Sequence, residues 1–164
     1  MNMIFTLVSE ATLETLAMVG FSTVFSLILG LPLGILLCVT DGETGIMKKP
    51  VLNQVLTRIV NVLRSFPFMI LMILLFPLSR KIVGTSIGTT ATIVPLSIAA
   101  APFVARIIET ALKEVDPGVV QAARAMGSTN MQIIWKVLLP EAMPSLVSGI
   151  TLTIINLIGY SAMA

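Results

Sequence analysis

Four apolar stretches, at residues 13–39, 66–78, 84–105 and 143–164, leave few folds open to this chain. The hydrocarbon core of a bilayer is about 30 Å thick and takes about 20 helical residues to cross. Inside it every backbone N–H and C=O needs a partner, which a helix supplies from its own backbone. The uncharged core of the second stretch is short. Its span is therefore predicted to begin near Asn61, with Arg64 snorkelling to the interface. The first stretch is too long for a signal peptide, and no Lys or Arg precedes it to make a basic leader. Composition agrees: 11% of residues are charged and 56% hydrophobic, against about 25% charged in an average soluble domain. The expected fold is all-α, a polytopic membrane helical bundle of about four spanning helices over residues 1–164, with a loop at about 106–140 on one side of the membrane.

The basic residues orient the bundle. Lys48, Lys49, Arg58 and Arg64 lie between the first and second stretches, and Arg80 and Lys81 between the second and third. Arg106, Lys113, Arg124 and Lys136 lie between the third and fourth. Putting the first and third connections inside places eight of the ten Lys and Arg in the cytoplasm. The N-terminus is then outside, and the 106–140 loop is cytoplasmic.

Several chemistries are excluded. Histidine is absent and Cys38 is the lone cysteine, so no intrachain disulfide, Ser-His or Cys-His pair, or metal-ligand spacing exists. No glycine-rich phosphate loop ending in Lys-Ser or Lys-Thr occurs, so the chain is not expected to bind or hydrolyse ATP by itself. The formal net charge of +2 offers no overall basic excess for nucleic acid.

The apolar stretches carry polar and small residues. Ser26, Gly30 and Gly34 recur every fourth residue, a ridge that lets another helix approach closely. Thr85, Thr89, Thr92 and Ala99 to Ala101 make the third stretch similarly thin. Pro32, Pro67, Pro95 and Pro102 break or kink helices, which a membrane tolerates only where neighbours re-satisfy the backbone. Asn156 and Tyr160 place polar groups in or near the hydrocarbon. Each residue alone reads as hydrogen-bonding glue between helices; their accumulation across segments reads as a lined path through the bundle.

The cytoplasmic loop has its own grammar. Asp116 and Pro117 read as N-cap and first helical residue, followed by an apolar face of Val119, Ala122, Ala123 and Met126. Gly127 stands where a helix ends in a left-handed residue. Thr129 and Gln132 fit a capping box for a second helix carrying Ile133, Ile134, Val137 and Leu138. Pro140 is expected to block its continuation and bias Leu139 away from helix. Ala122 and Ala123 would let the first helix sit deep in a partner's groove. A DNA-reading helix-turn-helix has similar spacing, but its recognition helix would offer only Lys136 to the phosphates. A loop that packs only on its own bundle is the remaining reading.

The run Gln121, Ala122, Ala123, Gly127, Val137, Leu139 and Pro140, with Arg124 inside it, resembles the loop of bacterial ABC importer permease subunits. There a Glu-Ala-Ala motif is followed by a glycine and a hydrophobic-x-Leu-Pro ending; Gln121 replaces the usual Glu and Val137 the usual Ile. The stretches "LRSFPFMILMILLFPLSRKIVGTSIGTTATIVPLSIAAAPFVARIIE" and "ARAMGSTNMQIIWKVLLPEAMPSLVSG" are similar to the methionine importer permeases. The resemblance implies a permease of the type I importer class in the bacterial inner membrane. It implies a homodimer whose loops couple to ATP-binding subunits, supplied by an extracytoplasmic substrate-binding protein. ATP and Mg would sit on the partner, and no cofactor on this chain. Substrate would cross by alternating access, with Asn156, Tyr160 and Met163 as pathway-lining candidates, Met163 as an apolar gate. Family members continue with at least one more spanning helix, so a chain stopping at Ala164 reads as a fragment or a truncated protein. A non-transporting fragment that still docks the ATP-binding subunit, and a permease for another small amino acid, are the alternatives.

Overall fold

A computed structural model describes residues 2–85 and 88–162, and over these the chain is helical with no strand. The elements are α1 (Asn2–Val39), α2 (Pro50–Ser65), α3 (Phe68–Val83), α4 (Thr89–Lys113), α5 (Pro117–Ala125), α6 (Asn130–Ile133), a π turn (Ile134–Leu138), α7 (Leu139–Glu141) and α8 (Met143–Ser161). Among the described residues α1, α4 and α8 are each long and apolar enough to cross a membrane, and α2 with α3 makes a fourth, broken candidate.

α4 is the centre, packed by α1, α3 and α8. The small-residue ridge of α1 forms the tightest seam. A Cβ on Gly30 would lie 2.6 Å from Val104 Cγ1, and one on Gly34 would lie 2.6 Å from the Ala105 carbonyl oxygen. Ser26 is fully buried on the same ridge. Close backbone approach of this kind drives helix association where lipid removes the usual hydrophobic force.

Three expectations need correction. The second span does not run as one helix from Asn61. α2 ends at Ser65, Phe66 is extended (φ −71°, ψ 134°), and α3 leaves at 102° to α2. The cause is local: Pro67 drives the residue before it out of the helical region. Arg64 sits on the last turn of α2 and lines cavities facing α4 and α8. The third span is also displaced, starting at Thr89 and running on to Lys113. Within it Pro95 and Pro102 interrupt hydrogen bonding without ending the helix. Pro95 has no N–H for the Ala91 carbonyl four residues back. The buried Ser79 hydroxyl of α3 donates to that carbonyl instead.

The third correction concerns Pro140, which does not end the helical path. Leu139 is helical (φ −64°, ψ −46°), because the preceding turn widens and the Leu139 N–H donates to the Ile134 carbonyl, five residues back. A wide turn absorbs a residue that cannot take part in the ordinary four-residue register.

Candidate coupling site and membrane groove

The stretch from α5 to α7 is built by caps that the sequence announces. Asp116 Oδ1 accepts from the Gly118 N–H at 2.7 Å, opening α5 behind Pro117. Gly127 closes it at φ +81°, and Ser128 N–H returns to the Ala123 carbonyl at 3.1 Å. No atom lies within 4 Å of a Cβ built on Gly127, so backbone conformation, not space, demands glycine. Thr129 and Gln132 form the reciprocal capping box, with Thr129 N–H to Gln132 Oε1 at 2.9 Å and Gln132 N–H to Thr129 Oγ1 at 3.3 Å.

α5 presents different faces to different neighbours. Ala123 is 3% exposed and Val120 is half-buried; both pack on the core shared with Ile133, Ile134 and Leu138. Val119, Ala122 and Met126 point outward, Met126 at 80% exposure. The expected single apolar face of Val119, Ala122, Ala123 and Met126 is thus divided. Ala123 turns inward together with Val120, three positions before it on the same side of α5. Pro117, Val120, Gln121 and Arg124 line a cavity of about 310 Å³ against the α1–α2 connection. Val137 and Leu139 are half-buried on the core, and Pro140 is exposed.

The α1–α2 connection braces this loop. Arg124 Nη2 donates to the Ile46 carbonyl at 2.8 Å. Lys113 Nζ pairs with Asp41 Oδ2 at 2.8 Å and with Glu109 Oε1 at 2.9 Å. Glu109 is buried and also takes Arg106 Nη1 at 2.6 Å, while Arg106 Nη2 donates to Asn61 Oδ1 of α2 at 2.8 Å. A buried carboxylate is tolerated only when paired in this way. Asp41 also accepts from the Glu43 and Thr44 N–H groups. The Lys113 ammonium, helped by those donors, holds the Asp41 carboxyl down at about 2. The available signal was Asp41-Gly42, an acidic residue at a turn, but its partner lies 72 residues away.

Beside α4 and α8 two adjoining cavities, about 440 and 190 Å³, share Arg64 and Phe103 as walls. The larger runs between α4 and α8 past Arg106 to Glu114, whose Oε2 accepts from Ser145 Oγ at 2.5 Å. The smaller lies at the α2–α3 break and is lined by Asn156 and Tyr160 of α8. Tyr160 stacks on Phe68 with ring centroids 3.9 Å apart and planes 11° from parallel. The structure thus brings Asn156 and Tyr160 to one cavity. Met163 lies outside the described residues.

Comparison with known proteins matches residues 30–164 to the binding-protein-dependent transport system inner membrane component family. The chain is 52% identical over 161 residues to the probable D-methionine transport system permease protein MetI of Pasteurella multocida, covering 98% of this chain and 74% of that one. It is 53% identical over 151 residues to the D-methionine transport system permease protein MetI of Escherichia coli K12, covering 92% and 69%. Its fold matches the inward-facing MetNI methionine ABC transporter in the CY5 native crystal form. There the TM-score is 0.94 at 48% identity, over 99% of this chain and 75% of that one. An amino acid ABC transporter crystallised with histidines shares the fold at TM-score 0.70 and 22% identity. With broken and small-residue membrane helices around a capped, braced loop, the chain belongs to the family of binding-protein-dependent transport system inner membrane components.

Proposed function

We propose that this chain is the permease subunit of an ATP-driven importer of methionine. The observation that carries the reading is α5: a short helix between α4 and α8 that presents Val119, Ala122 and Met126 outward while its other sides are anchored to the bundle. Such a helix suits a groove on another protein. The substrate follows from relatives about half identical over nearly the whole chain, which are named for D-methionine transport.

In this reading the groove belongs to an ATP-binding subunit, and ATP and Mg bind there. The cytoplasmic side carries α5, the N-terminus is outside, and an extracytoplasmic binding protein delivers substrate. Two copies of the chain face each other, with the cavities beside α4 and α8 forming each copy's half of the path. When the ATP-binding pair closes, it displaces α5 as a rigid body. Arg124, held on the Ile46 carbonyl, carries that displacement to the α1–α2 connection. The Asp41–Lys113–Glu109–Arg106 ladder carries it to α4 and α2. Gln121 and Arg124 set the angle of α5 against its own chain, while Val119, Ala122 and Met126 meet the partner. Gly127 sets the elbow, and Val137, Leu139 and Pro140 fix the turn into α8.

The test is co-purification of tagged chain with a methionine-type ATP-binding subunit, followed by labelled-methionine uptake in vesicles. Wild type is expected to bind and transport. Gly127→Asp, which adds a side chain at φ +81° and a charge beside the docking face, is expected to lose docking at least tenfold. Undiminished docking by Gly127→Asp would refute the coupling role of this loop.

A further inference from the structure

We infer that the cavity at the α2–α3 break is a recognition site for a zwitterionic amino acid within the membrane domain, with Arg64 as the group that holds the carboxylate. The inference rests on the methionine reading above and adds the residues that select the substrate.

The cavity is small, about 190 Å³. Sites for drug-sized ligands run from about 300 to 1,000 Å³, so this one suits a free amino acid. Its lining combines one cation with amide, phenol and hydrocarbon surfaces. Arg64 lies on the last turn of α2, and no ion pair or hydrogen bond holds its guanidinium among the described residues. The other arginine beside these cavities, Arg106, is already engaged by Glu109 and Asn61. Arg64 is thus the cation left available, and a guanidinium fork matches a carboxylate in two parallel hydrogen bonds.

The remaining walls fit the rest of such a molecule. Asn156 makes no hydrogen bond among the described residues, so its amide oxygen is available for an ammonium group. Phe66, Phe68 and Phe103 supply aromatic surface, and Phe68 is held in place by its stack on Tyr160. Aromatic rings attract a polarizable thioether more than an equally sized hydrocarbon. The break that creates the cavity is imposed by Pro67. Phe103 and Arg64 also wall the larger cavity running to Glu114, so a molecule released here has a route along α4 and α8.

The test uses the complex with its ATP-binding subunit in lipid nanodiscs, without binding protein, and equilibrium binding of labelled methionine. Wild type is expected to bind saturably. Methioninamide, which lacks the carboxylate, is expected to compete at least tenfold more weakly than methionine. Arg64→Gln is expected to weaken binding at least tenfold and to erase the difference between the two competitors, with Arg64→Lys in between. Arg80→Gln, at the far end of α3, should bind as wild type. No saturable binding to wild type, equal competition by methioninamide, or unchanged binding to an assembled Arg64→Gln complex would each overturn the inference. ATP-driven uptake by the same wild-type complex with binding protein reports separately. Uptake with no binding at Arg64 sinks this site alone, whereas no uptake sinks the transport reading.

Discussion

The α1–α4 seam and the α5 elbow both depend on glycine, for opposite reasons. At Gly30 and Gly34 the backbone is ordinary helix and the surroundings are full; a methyl group would overlap Val104, Ala105 or Ile108. At Gly127 the surroundings are empty and the backbone is left-handed. The seam is a packing constraint set by a distant segment, and the elbow is a conformational constraint set by the residue itself. The seam therefore tolerates no added volume, while the elbow tolerates volume and resists only the loss of glycine's conformational freedom.

The seam should show the largest effect. Gly34→Val should cost about 3 kcal/mol, the upper end for overpacking, and lower the unfolding midpoint in detergent. A midpoint within one degree of wild type would show that the seam yields. Ser79→Ala should come next, at about 2 kcal/mol, by leaving the Ala91 carbonyl without its donor beside Pro95. The same midpoint measures it, and Ser79→Thr should recover part of the loss. At the elbow, Gly127→Ala should cost only about 1 kcal/mol, the penalty of a left-handed alanine. Its signature is a larger loss in ATPase docking than in stability, and Gly127→Asn should lie nearer wild type because asparagine tolerates this conformation better.

The smallest effect concerns the brace. The Asp41 carboxyl titrates at about 2 in the folded chain, below its ordinary value of about 3.9. Its contribution is therefore present above about pH 4 and fades as pH falls toward 2. Asp41→Asn should remove that acid dependence and cost under about 1 kcal/mol, because the pair is partly solvated. An unchanged acid unfolding profile in Asp41→Asn would detach Lys113 from this role.

Much of the α5–α7 stretch was legible because its signals are local. The Asp116 cap, the left-handed Gly127 and the Thr129–Gln132 box each involve residues within three positions of one another. The ridge of Ser26, Gly30 and Gly34 was legible as a periodicity, though not which helix it would meet. Pro140 misled because the rule for a residue before proline assumes an ordinary helical register. The chain keeps helix there by widening one turn, with Ile133, Ile134 and Leu138 buried to hold it. The second span misled because its apolar run continues through residues 66–78, while Pro67 breaks the helix between α2 and α3.

By itself, then, the sequence determined the apolar segments, the helix caps, the left-handed glycine and the absence of a phosphate loop. All of these depend on single residues or near neighbours. Only the tertiary structure decided which side of α5 is free, that Arg124 is spent on the Ile46 carbonyl 78 residues away, that Ser79 serves the Ala91 carbonyl that Pro95 leaves without a donor, and that Arg64 meets Asn156 and Tyr160 around one cavity. Each of those pairings joins groups remote along the chain, and their proximity is set by how helices cross, which no local pattern encodes.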